Sequence, residues 1–219
     1  MIVLLTGLVA GAIHVASGPD HLAAIAPLSV DGRKRAWSTG LRWGLGHSSG
    51  VALVAGLGFL LREQLDIEAI SGWSERFVGA LLIGIGLWGC RRAFMGPVHA
   101  HAHRHASVEH SHIHVHADSG DSRKETHAHG HAAFAIGTLH GFAGTAHFLG
   151  VVPALALPTG LDTLIYIGGF ALGTVFAMVA FSSAIGLWSA NISAAIQTRR
   201  LLAATSLASI AVGVAWLAL

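Results

Sequence analysis

Charge is scarce in this chain of 219 residues: 11% of the residues are charged and 53% are hydrophobic. Soluble domains carry roughly 25% charged residues, so the bilayer is the expected solvent. Cysteine is nearly absent, because Cys90 is the only one. A single thiol excludes an internal disulfide and the paired thiols of a membrane electron carrier. The formal net charge of +2 does not indicate nucleic acid, since the basic residues lie in short loops between apolar segments.

Long uncharged runs fill most of the chain. Bounded by charge or by Pro and Gly, they predict six helices near residues 2–28, 39–61, 75–94, 132–157, 162–188 and 200–218. Lys and Arg concentrate in the first, third and fifth loops, which the positive-inside rule places in the cytoplasm, with both termini outside. We therefore expect an all-α integral membrane protein of the bacterial inner membrane. The six tryptophans lie mostly near span ends and are expected to anchor at the interface: Trp37, Trp43, Trp73, Trp88, Trp188 and Trp216.

The third loop is rich in histidine. Eleven of the sixteen histidines lie between residues 98 and 131, namely His99, His101, His103, His105, His110, His112, His114, His116, His127, His129 and His131. The tract has few apolar side chains, so we expect a flexible segment. Neutral imidazole is a good ligand for nickel, cobalt, copper and zinc, which predicts metal binding in this loop. The alternatives are a plain linker or an expression tag, and the internal position and mixed spacing argue against a tag.

An internal repeat relates the two halves of the chain. Residues 11–21 match residues 137–147, and both copies follow the pattern G-x2-H-x3-G-x2-H-x5-P at an offset of 126. Residues 45–47 match residues 172–174 at an offset one larger. Each half holds three predicted spans, and an odd number inverts the second copy, as in many secondary transporters. We therefore expect two inverted three-helix repeats, residues 1–94 and 132–219, joined by a His-rich cytoplasmic loop at 95–131.

Ionisable side chains cluster within the predicted spans, where they are costly and indicate function. The candidate metal ligands are His14, Asp20, His21, His47, His140 and His147. A continuous helix would hold the first two histidines roughly 10 Å apart, but the intervening Gly-Pro pair should break the helix and bring them together. Imidazoles with one carboxylate suit Ni, Co or Zn better than Ca or Mg. The alternative for each histidine is a hydrogen-bonded packing role.

These residues resemble the signatures of the nickel/cobalt transporter superfamily. Residues 20–25, Asp-His-Leu-Ala-Ala-Ile, resemble its Asp-His-Ile-Ala-Ala-Ile core, and residues 45–48, Leu-Gly-His-Ser, resemble its second signature. The efflux branch is also similar in having six spans and a His-rich loop between the third and fourth. The chain departs from the permease signature by placing five residues between His14 and Asp20 where the family has four. The resemblance implies transport of Ni or Co, with His14, Asp20, His21 and His47 contacting the ion.

The sequence thus predicts a transporter of divalent transition metal ions, nickel or cobalt first and zinc as the alternative. We expect no prosthetic group, no enzymatic activity and no nucleic-acid partner; the partners are the metal ion and the lipid bilayer, and a homo-oligomer stays open. Two other classes also stay open: a metal-dependent membrane hydrolase, and an accessory protein that delivers nickel to enzyme maturation. Uptake and efflux are not distinguished.

Overall fold

A computed structural model gives the fold. It describes the backbone of residues 1–32, 35–61, 67–95, 98–105, 108–115, 122–143, 153–154, 156–192 and 195–218, and the side chains of residues 1–30, 35–54, 73–95, 131–142, 153–154, 156–192 and 196–218. Within these ranges there are seven helices: α1 (Ile2–Ser17), α2 (Pro19–Gly32), α3 (Ala36–Leu61), α4 (Ile67–Met95), α5 (Ser122–Ala143), α6 (Gly160–Asn191) and α7 (Ala195–Ala218). Two antiparallel strands, β1 (Val98–His105) and β2 (Val108–Val115), precede α5.

Three of the described helices are long and apolar enough to cross a membrane. They are Trp73–Met95 within α4, Gly160–Asn191, which is α6, and Ile196–Ala218 within α7. The pair formed by α1 and α2 passes the same test but is bent by 75°, which gives four spans if the pair is one broken span. A helical membrane protein is therefore supported, and the six spans expected from the sequence remain a prediction.

The predicted break in the first helix is confirmed. Gly18 separates α1 from α2 in an extended conformation (φ −89°, ψ 100°), as expected for a residue that precedes proline. Its backbone N–H donates to the carbonyls of His14 and Val15 and so ends α1. Pro19 then occupies the first position of α2, where the missing N–H costs nothing. The first turn of α2, which carries Asp20 and His21, therefore begins inside the helix bundle.

Glycines bring helices of the two halves into close contact. On α1, a Cβ added at Gly7 would overlap the carbonyl oxygen of Tyr166 on α6, and from α6 one at Gly173 would overlap that of Leu8. The α3–α5 pair has the same arrangement: added Cβ atoms at Gly46 and Gly50 would overlap carbonyl oxygens of α5. Because apolar burial does not drive association in lipid, such close backbone packing is a main source of helix pairing.

The direction of each pair follows from the order of its contacts. Gly7 meets Tyr166 and Gly11 meets Phe170, so α1 and α6 run parallel. In the same way, Gly46 meets Phe134 and Gly50 meets Thr138, which makes α3 and α5 parallel. The contacts of α4 run the opposite way along α7: Gly79 lies against residues 213 and 217, and Gly86 against 206 and 210. That third pair is therefore antiparallel.

Buried hydroxyl groups fasten α2 and α3 to α6. The Ser182 hydroxyl donates to the carbonyl of Ala36 (2.6 Å) and lies 2.7 Å from the Ser29 hydroxyl. About two turns further along α6, the Ser189 hydroxyl donates to the carbonyl of Val30 (3.0 Å). All three serines are fully buried, and each such bond stabilises by about 1 kcal/mol. They fix the C-terminal part of the broken helix.

The His-rich tract differs from the expected flexible segment. β1 and β2 pair in a register that sets His99 opposite His114, His101 opposite His112 and His103 opposite His110. The alternation of His with other residues has a period of two, and residues two apart share one face of a strand. The prediction of a flexible segment rested on the shortage of apolar side chains and did not use the two-residue period, which is typical of a strand. The predicted fourth helix, 132–157, corresponds to α5 and differs at its start, since α5 begins at Ser122; residues 144–152 of that prediction lie outside the described residues.

Candidate metal centre

Five polar side chains from both halves meet at the break between α1 and α2. They are His14 from the end of α1, Asp20 and His21 from the first turn of α2, His47 from α3 and His140 from α5. His21, His47 and His140 are at most 1% exposed, and Asp20 is 7% exposed. The structure thus brings together five of the six histidine and aspartate residues predicted for the intramembrane site.

Asp20 joins the two halves through its two oxygens. The His21 Nδ1–H donates to Oδ1 of Asp20, and the His140 Nε2–H donates to Oδ2, each at 3.0 Å. A buried carboxylate without such donors would carry a large desolvation cost. The two imidazoles offset that cost. Asp20 and His140 are 120 residues apart in the sequence, so the hydrogen bond between them links the first and second halves.

The hydrogen bond from His21 to Asp20 fixes the orientation of the His21 ring. A carboxylate accepts hydrogen bonds, so His21 carries its proton on Nδ1 and leaves a lone pair on Nε2. Carboxylate–imidazole–metal arrangements of this kind orient the ring and raise the basicity of the ligating nitrogen. Asp20 is therefore placed both to ligate an ion directly and to orient His21.

Ligand atoms in the cluster are close enough to share one ion. His14, His21 and His47 form one group, and Asp20, His21 and His140 form another, with the ligand atoms of each group within 4.8 Å of one another. The ring centroids of His14 and His21 are 4.6 Å apart, and those of His21 and His47 are 4.9 Å apart. His21 belongs to both groups. Three neutral imidazoles, with a carboxylate beside them, form a donor set that suits a divalent transition metal.

Two aromatic rings close the cluster. Trp43 stacks on His47 with centroids 4.9 Å apart and an interplanar angle of 10°, and it lies 5.3 Å from His140. Phe170 lies 5.4 Å from His14 on the α6 side. Interface anchoring was the wrong role for Trp43, which is 0% exposed. Its place four residues before His47 on α3 was the available signal, because residues four apart share a helix face.

Other predicted ligands lie away from the cluster or beyond the described residues. His147, the counterpart of His21 in the repeat, and His116 lie outside the described residues. Only the backbone is described for the histidines of β1 and β2 and for His127 and His129 of α5, whereas His131 is described and exposed. Metal binding by the loop histidines stays a prediction.

Helices of spanning length and a buried cluster of imidazoles around one carboxylate define a helical membrane protein with a candidate transition-metal centre. Two curated relatives from Arabidopsis thaliana, "Chloroplast protein FOR GROWTH AND FERTILITY 1" and "2", are each 36% identical to the chain. The first matches over 212 residues, 95% of this chain and 56% of the relative, and the second over 214 residues, 96% and 54%. The chain thus spans about half the length of these relatives.

A third relative carries the name of a urease accessory protein. "Urease accessory protein UreH" of Bacillus sp. (strain TB-90) is 29% identical over 187 residues, which cover 84% of this chain and 76% of the relative. The relation to nickel/cobalt transporters expected from the signatures is supported loosely by this similarity. No family model matches the chain, and no solved structure matches it.

Proposed function

We propose that the protein carries a divalent transition metal ion, nickel or cobalt first and zinc as the alternative, across a membrane. The observation that carries the proposal is the buried cluster at the helix break, where Asp20 connects α2 with His140 of the second half. Irregular backbone at membrane depth is tolerated where it lines a cavity or is buried in protein. Broken helices at the interface of two repeats are where secondary transporters bind their cargo.

The helix directions support two inverted repeats. The first and second helices of a repeat run in opposite directions, so an inverted second copy makes its second helix parallel to the first helix of copy one. The parallel α1–α6 and α3–α5 pairs and the antiparallel α4–α7 pair fit this arrangement. A second copy in the same orientation would reverse all three directions. The domain limits at 94 and 132 and the six spans belong to this proposal.

The proposed cycle begins when the ion exchanges its water shell for imidazoles. His14, His21 and His47 bind it through ring nitrogens, and Asp20 supplies a negative charge that partly compensates the dication. Movement of the helices around this site then opens it to the other side, as in alternating access. A second candidate, an accessory role in nickel delivery without transport, is favoured by the printed name of the UreH relative.

The setting of the protein belongs to the proposal as well. The apolar helices support a membrane location, but two relatives are named as chloroplast proteins. The bacterial inner membrane and the outside position of both termini therefore remain predictions. So do the lack of a prosthetic group, the lack of enzymatic activity and the lack of a nucleic-acid partner.

Radiolabelled nickel flux into oriented proteoliposomes tests the proposal. We expect flux above that of protein-free liposomes, with cobalt and zinc both competing, because imidazole-rich sites accept all three ions. Metal binding by the purified protein without any flux would instead support the accessory role. Flux blocked by zinc but not by cobalt would turn the assignment to zinc.

The His-rich tract is proposed to collect metal on the cytoplasmic side. Replacement of residues 98–121 by a Gly/Ser linker of equal length should raise the KM for nickel several-fold and leave the maximal rate within about twofold, since α5, which begins at Ser122, and the membrane site stay intact. The matched control replaces the eleven histidines of the tract by Asn and keeps its length. If both variants keep the wild-type KM, the tract does not collect cargo.

A further inference from the structure

The contact between α3 and α5 includes two residues of the cluster, His47 and His140. A Cβ added at Gly137 would lie 3.0 Å from the carbonyl carbon of Trp43 and 3.1 Å from the backbone nitrogen of His47. The ring of His140, three residues after this glycine, lies 5.3 Å from the Trp43 ring at 50°. Glycine, imidazole, aromatic ring and His47 thus form one packed unit.

The α1–α6 contact repeats this geometry with different residues. A Cβ added at Gly11 would lie 2.9 Å from the carbonyl carbon of Phe170 and 2.9 Å from the backbone nitrogen of Thr174. The ring of His14, again three residues after the glycine, lies 5.4 Å from the Phe170 ring at 41°. The same repeat offsets that align the sequence halves pair Phe170 with Trp43 and Thr174 with His47. Thr174 therefore occupies the place of His47.

Thr174 also has an unsatisfied hydroxyl. The residue is 1% exposed, and within the described part of the chain its Oγ1 has no hydrogen-bond partner. Hydroxyls on other helices donate to the carbonyl four residues back, as Ser29 on α2 does to Ile25 and Thr138 on α5 does to Phe134. A buried hydroxyl without a partner is costly, and it calls for a ligand, an ion or a water molecule.

We propose that Thr174 is a second contact point for the cargo cation, opposite His47 and on the His14 side of the cluster. Its hydroxyl oxygen binds the divalent ion directly or through one water of the ion's shell. An alcohol oxygen holds a transition metal less tightly than an imidazole does. The cluster then has a strong end at His47 and a weak end at Thr174. This inference rests on the proposed function, since the ion is the proposed cargo.

Cobalt binding to the purified full-length protein, followed by the absorption of the bound ion, tests this role. Thr174→Val keeps the shape and removes the hydroxyl, and we expect it to weaken Co²⁺ binding about fivefold. Thr174→Ser keeps the hydroxyl and should stay within about twofold of the wild type. Equal affinity of the Val, Ser and wild-type proteins would overturn the proposal.

An exchange of residues tests the equivalence of the two positions. His47→Thr should lose affinity for Co²⁺ by about tenfold or more, and adding Thr174→His should restore part of it, because an imidazole then returns at the other end. No restoration in a protein that elutes as a single species would count against the equivalence. Where the double variant does not fold, the Val and Ser pair decides. A wild-type protein that binds Co²⁺ without transporting it would end the transport proposal and leave this binding test valid.

Discussion

Substituting His14 and His21 together by alanine should reduce nickel flux to the level of protein-free liposomes. The two rings are 4.6 Å apart, and both belong to the group that includes His47. Removing them leaves that group a single imidazole, which cannot replace the water shell of a divalent ion. Loss of one orienting or ligating group in a metal site typically costs about 10- to 100-fold in affinity, so losing two should abolish binding at working concentrations.

A buried polar residue outside the cluster provides the control. Ser189→Ala removes the hydrogen bond to the carbonyl of Val30 at the far end of α2, which should cost about 1 kcal/mol of stability and leave flux intact. Flux and Co²⁺ binding are measured on the same preparations after size-exclusion chromatography. Wild-type flux from a well-folded His14/His21 variant would remove the cluster from the transport path.

The second large effect is expected from Gly18→Ala. Backbone strain is not the reason, because the φ of −89° at this position suits any L-residue. The added Cβ would overlap Nδ1 of His21 and lie 2.9 Å from Oδ1 of Asp20. These two atoms form the hydrogen bond that orients the His21 ring, so the ring must move away. We expect nickel affinity and flux to fall about 10- to 100-fold.

Two other glycines give matched controls for this variant. A Cβ at Gly84 on α4 or at Gly168 on α6 would have no neighbour within 4 Å, so alanine at either position should leave flux and affinity unchanged. The measurement is nickel flux together with Co²⁺ absorption for the three variants. If Gly18→Ala behaves like the two controls, the geometry around His21 does not limit transport.

The local part of the site could be predicted from the sequence. Gly18 and Pro19 break a helix for steric reasons that act within a few residues, and the structure confirms the break. Once the chain turns there, His14 and His21 come together because the bend shortens the distance between them. The match between residues 11–21 and 137–147 also pointed to His140, which lies in the cluster.

Contacts between distant elements were beyond this reasoning. Whether Asp20 accepts a bond from His140 depends on how α2 and α5 pack, and nothing in either segment fixes that packing alone. The burial of Trp43 depends in the same way on the meeting of α3, α2 and α5. In the His-rich tract two local signals conflict, since the composition favours disorder and the alternation favours strands, and composition was given too much weight.

The pairing of helices across the two halves also affects how the protein is made. α1 ends at Ser17, but its glycine-packed partner α6 does not begin until Gly160. During synthesis α1 is therefore in the bilayer before α6 exists, and its glycine-rich face then contacts lipid. The hydrogen bond between Asp20 and the imidazole of His140 likewise forms only after α5 has been made. Insertion and packing are thus separate stages, and a chain whose synthesis stops before α5 leaves Asp20 without its imidazole partner from the second half, which makes that chain a substrate for membrane quality control.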